Sequence, residues 1–107
     1  MTTETTTTTT TTEKTIEQER LEAKLLHKLH ETEEFLETAI RGLHTFLTIE
    51  GDVAILGLLV HGKGTNIRVN LVSGKAKSGA YEQGKPFSMT DNRLNELEDA
   101  IVAYFKS

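Results

Sequence analysis

Two groups of residues in this 107-residue sequence have types and spacings that invite chemistry. The first is His27, His30, Glu31 and Glu34, which fall at i, i+3, i+4 and i+7 and so share one face if the segment is helical. Imidazole and carboxylate together suit a transition metal, but zinc needs three or four protein ligands and one helix seldom supplies them. No second segment offers matching ligands, so the sequence predicts no metal site and no cofactor.

The second group is "VHGKGTNIRVNLVSGKAKSG", Val60 to Gly79, which holds Lys63, Arg68, Lys75 and Lys77 and no acid. Lys85 follows shortly after. Residues 53–86 carry five bases and one acid, Glu82, for a net charge of +4; residues 1–52 net −6 and residues 87–107 net −2, in a chain of formal charge −4. Glycines around Lys63, Lys75 and Lys77 leave bare backbone that an anion can approach, as phosphate loops do. The Walker spacing is absent, and lysine at a hairpin edge also serves to keep it soluble and unpaired. Lys63, Arg68, Lys75, Lys77 and Lys85 are therefore the candidate ligand-binding residues, for a nucleotide or single-stranded nucleic acid. An acidic chain of this kind argues against general duplex binding.

Catalysis finds no support. Ser, Thr, His and carboxylates are present, but no local motif sets a nucleophile beside an oriented base. Cysteine is absent, which excludes disulfides and thiolate chemistry and accords with a reducing compartment. The N-terminus has no apolar signal region, and the longest apolar run, "VAILGLLV" at 53–60, has eight residues where a spanning helix needs about twenty. The sequence predicts a cytoplasmic protein with no membrane segment.

The elements that must position these residues follow from periodicity. Residues 1–12 hold ten Thr and no apolar pattern, and are expected to be a disordered tail preceding a single domain over 13–107. Residues 13–48 contain no Pro, one Gly, and mostly strong helix formers, which predicts one long amphipathic helix. Within it Leu25, Leu29, Thr32, Leu36, Ala39, Leu43 and Phe46 alternate in steps of four and three, a heptad seam. A helix of roughly 35 residues is about 50 Å long against about 30 Å for a domain of this size. Overhang predicts a homo-oligomer, dimer or higher, with Leu25, Leu29, Leu36, Ala39, Leu43 and Phe46 at the interface.

On this reading Gly42 marks a kink or close contact and Gly51 caps the helix. "DVAILGLLV" is apolar on both faces, "HGKGT" makes a turn, and "NIRVNLV" alternates like a half-exposed strand. "SGKAKSGAYEQGKP" reads as a loop with a short third strand around Ala80 to Glu82. "SMTDNRLNELEDAIVAYF" restarts helical spacing through Leu94, Leu97, Ile101 and Phe105, with Ser88 or Thr90 as N-cap and Asp91 completing a capping box with Ser88. The expected fold is α+β: long N-terminal helix, β-hairpin or three-stranded antiparallel meander, short C-terminal helix. The expected function is that of a non-enzymatic, self-associating cytoplasmic binding protein, an accessory or inhibitory factor occupying a protein partner; the alternative is the anionic ligand on the basic region 60–85.

Overall fold

A computed structural model describes residues 15–107; the Thr-rich tail assigned to 1–12 lies outside them. The chain is α+β, with helix α1 (Ile16–Ala39), strands β1 (His44–Glu50), β2 (Val53–Val60), β3 (Lys63–Asn70), β4 (Lys75–Lys77) and β5 (Phe87–Ser88), and helix α2 (Asp91–Lys106). The five strands form one antiparallel meander in the order β1-β2-β3-β4-β5.

Helix α1 begins where Thr15 Oγ1 accepts the Gln18 N–H at 3.0 Å, with Glu17 and Glu19 in the first turn favouring the positive end of the helix dipole. It ends at Ala39, nine residues before the boundary expected from spacing. Ile40 closes it in extended conformation, its N–H bonded to the Leu36 carbonyl, and Gly42 follows at φ +80°, a region that glycine enters without steric cost. Gly42 is thus the break between helix and sheet. The next stretch, "HTFLTIE", is rich in β-branched and aromatic residues, which lose rotamer freedom in a helix and pack well on a pleated sheet. Leu43 and Phe46 continue the heptad count by coincidence.

Gly51 caps no helix; at φ +59° it opens the two-residue turn joining β1 to β2, whose seven cross-strand pairs run from His44↔Leu59 to Glu50↔Val53 without a bulge. Between β2 and β3, His61 (φ +49°) and Gly62 (φ +81°) are both left-handed, as the type I′ hairpin turn demands. Further along, the short strand expected near Ala80–Glu82 lies instead at Lys75–Lys77, with a lone Ser78↔Tyr81 bridge and a turn at Glu82–Gly84 before β5. Ser88 belongs to β5. Helix α2 is capped by Thr90, whose Oγ1 accepts the Arg93 N–H at 3.3 Å.

Cross-strand partners share a face, so the register sorts the sheet. Ala54, Leu56 and Leu58 on β2, Ile67 and Val69 on β3, Ala76 on β4 and Phe87 on β5 are buried beneath the two helices. Leu25, Leu29 and Leu36 of α1 and Leu94, Leu97 and Ile101 of α2 complete that core. The helices also meet directly, Thr32 Oγ1 donating to Glu98 Oε2 at 3.0 Å and Lys28 Nζ to Asp91 Oδ1 at 3.0 Å. Among the described residues no helix covers the opposite face, which is made by Phe46, Ile55, Leu59, Arg68, Lys75 and Lys77 among others. No helix among the described residues is long and apolar enough to cross a membrane.

Candidate functional site

The uncovered face of the sheet brings together three of the five predicted cations. Arg68 on β3 lies directly opposite Lys77 on β4, and Lys75 is two residues along β4 on the same face. All three are exposed. They line a cleft of about 370 Å³ together with Asn70, Ser73 and Pro86, and Val53 supplies an apolar wall; among the described residues none of the lining is acidic.

The loop between β3 and β4 sets the cleft's lower rim. Asn70 Oδ1 accepts the N–H groups of both Val72 and Ser73 at 2.9 Å, folding the chain back on itself. Gly74 takes φ +76°, its N–H reaching the Asn70 carbonyl at 2.9 Å, and Ser73 Oγ accepts the Lys75 N–H at 3.2 Å. Lys75 Nζ then donates to Ser88 Oγ on β5 at 2.9 Å, which holds the ammonium at the cleft without neutralising it. Among the described residues no carboxylate pairs with Arg68, Lys75 or Lys77. Like charges directly opposite on neighbouring strands repel, so the Arg68–Lys77 pair costs stability unless an anion sits between them. A phosphate or carboxylate placed there would meet a planar guanidinium fork, two ammonium groups and the Ser73 hydroxyl.

The other two predicted residues stand apart. Lys63 begins β3 at the opposite end of the strand, five residues or about 17 Å from Arg68. Its Nζ donates to Ser107 Oγ at 2.9 Å and to the Ser107 carbonyl at 3.2 Å, and lies 4.7 Å from the centre of the Tyr104 ring. It ties the β2–β3 hairpin to the end of α2 rather than serving the cleft. Lys85 is exposed just before the rim residue Pro86 and does not line the cleft. Asn70 and Ser73 are ordinary turn formers in sequence; only the fold-back of the loop brings them into the cleft's lining.

The histidines of α1 are exposed and form intrahelical pairs. His27 Nε2 is 3.4 Å from Glu31, and His30 lies 3.3 Å from Glu33 and 3.5 Å from Glu34. A second polar cluster fixes the far side of the loop that carries Pro86. The Tyr81 hydroxyl donates to Glu96 of α2 and accepts from Arg93 Nη1 at 2.8 Å, while its buried ring meets Phe87 edge-on with 5.0 Å between centres. The Glu96 carboxylate, then burial, raises the phenol above its ordinary range, and the bond to Tyr81 raises the Arg93 guanidinium.

The predicted interface residues are placed differently from expectation. Leu25, Leu29 and Leu36 are buried by the chain's own sheet and second helix, and Ala39 and Leu43 are half-buried against the same core. That seam is used up inside one chain, because a helix 24 residues long does not overhang its sheet as one of about 35 would. Phe46 is exposed at 56%, but on a strand.

No protein-family model matches the chain, and no curated protein or solved structure is significantly similar to it.

Proposed function

We propose that this chain is a non-enzymatic binding protein that holds the phosphates of a single-stranded nucleic acid on the open face of its sheet. One observation carries the reading: Arg68, Lys75 and Lys77 converge on one cleft with no acid among the described residues that line it. Beside them on the same face the sheet presents Ile55 and Phe46, apolar ground on which a base can rest. An open face suits a polymer laid across it better than a mononucleotide, which gains most from an enclosing pocket. The cysteine-free sequence accords with a cytoplasmic setting.

The test is fluorescence anisotropy with a labelled oligothymidylate across a salt series. Each phosphate neutralised on a single strand contributes about −0.7 to the slope of log K against log salt, so three cations give roughly −2. Replacing Arg68, Lys75 and Lys77 together with Ala weakens binding at least tenfold and flattens that slope, and leaves the fold intact because all three are exposed. Binding that is absent, or that ignores salt, overturns the proposal. The second reading, an accessory or inhibitory factor docking on a protein, is favoured by the exposed apolar side chains of β1; contacts of that kind hold as salt rises.

A further inference from the structure

Among the described residues β1 is bonded to β2 on one side only and ends the sheet. Natural edge strands are commonly blunted by lysine, proline, a bulge or shortness. β1 has none of these: it runs seven residues in unbroken register with β2, and its only ionisable residues, His44 and Glu50, stand at its two ends. Between them Phe46 is 56% exposed, Leu47 50% and Ile49 52%.

These three side chains do not share a face. The register puts Phe46 on the open face with Gly57, and Leu47 and Ile49 on the helix-bearing face with Leu56 and Ala54. Helix α1 stops short of covering them, although Thr45 on that face reaches it through bonds to Glu33 and Glu37. A ligand lying on one face would leave the other wet. Only a strand added along the edge covers both at once, because its own side chains alternate between the two faces while its backbone meets the free N–H and C=O groups.

We infer that the occupant of this edge is a second copy of the chain, its β1 paired antiparallel with this one across a two-fold axis at Leu47. A two-fold perpendicular to the sheet keeps each residue on its own face, and centring it on Leu47 uses all seven residues of both strands. Leu47 then faces its own counterpart, Thr45 faces Ile49, Phe46 faces Thr48, and His44 faces Glu50 at each end. An imidazole thus meets a carboxylate at each end, and no like charges oppose. The Leu47 and Ile49 side chains of the two copies meet on the helix-bearing face and join the two cores beneath one continuous sheet made of both five-stranded halves.

The absence of native cysteine gives a direct test. Light scattering on the full chain should return twice the mass of one chain; a mass of one chain at all concentrations up to hundreds of micromolar overturns the proposal. Leu47→Cys should crosslink to completion on mild oxidation, since directly opposed strand residues have Cα atoms about 4.5–5.5 Å apart, within disulfide reach. Ile49→Cys should not, because the two copies of residue 49 are offset by about four residues, roughly 14 Å. Both positions are half-exposed, so circular dichroism should match the parent. A dimer in which the Ile49→Cys variant crosslinks and the Leu47→Cys variant does not, or in which neither does, places the interface elsewhere and ends the idea.

Discussion

At the scale of single residues, the most telling titratable group is Glu98, whose carboxylate is half-buried between the two helices and accepts from Thr32. Burial raises its pKa, the bond from Thr32 opposes that, and Asp99 and Glu31 add to the rise. A carboxyl whose folded pKa exceeds its unfolded one takes up its proton first in the folded state. The charged form therefore costs stability at neutral pH, and the cost is relieved as pH falls through the raised folded value toward the ordinary carboxylate range. Glu98→Gln removes the charge and keeps an acceptor for Thr32. It should melt above the parent at pH 7, with the gap narrowing as pH is lowered to about 4. A variant that melts below the parent at pH 7 would show that the Thr32 bond to a charged acceptor outweighs burial.

At the scale of elements, Leu36 decides what the α1 stripe is for. It is fully buried by its own chain, so Leu36→Ala should cost about 2–5 kcal/mol in denaturant unfolding and leave the mass in solution unchanged. A variant of parental stability that had lost its partner would return the stripe to an interface. The stripe itself was legible: Leu25, Leu29 and Leu36 are core residues, and so are Leu94, Leu97 and Ile101 in α2. Its end was not. Helical spacing ran on through Leu43 and Phe46 because steps of three and four fall on apolar residues in a strand as readily as in a helix. The contrary signals were local, a left-handed Gly42 and the stretch Thr45 to Ile49, in which four of five residues are β-branched or aromatic. The helix over 91–106 followed from periodicity that tertiary contacts did not override, whereas the turn expected over residues 61–65 is confined to His61–Gly62, because β3 already starts at Lys63. For the cleft, the charge contrast pointed to residues 53–86 as a whole, and only strand register could separate Arg68, Lys75 and Lys77 from Lys63, whose partners at Ser107 and Tyr104 lie far along the sequence at the end of α2.

At the scale of the whole molecule, the two proposals combine into a prediction that neither makes alone. In the edge-paired dimer both open faces lie on one side of a continuous sheet, and five strand spacings of about 4.8 Å separate one Arg68 from the other, roughly 24 Å. Strand twist of about 20° per step turns one cleft by roughly 100° relative to its twin, so a bridging ligand has to wind as it crosses. A single strand can do this and a stiff duplex of that length cannot. Oligonucleotides too short to span the gap should bind two per dimer with the affinity of a single cleft. Once the length suffices, the second contact becomes intramolecular, at an effective concentration in the millimolar range, and affinity should rise steeply, at least about tenfold over a few added nucleotides. Leu47→Lys sets two like charges across the proposed axis and should leave a folded monomer. That monomer should keep the affinity for short oligonucleotides and lose the step with length. If the step persists in the monomer, the extra contacts lie within one chain, along Ile55 and Phe46; if no step is seen in a proven dimer, the two clefts act independently and the shared face is not one site.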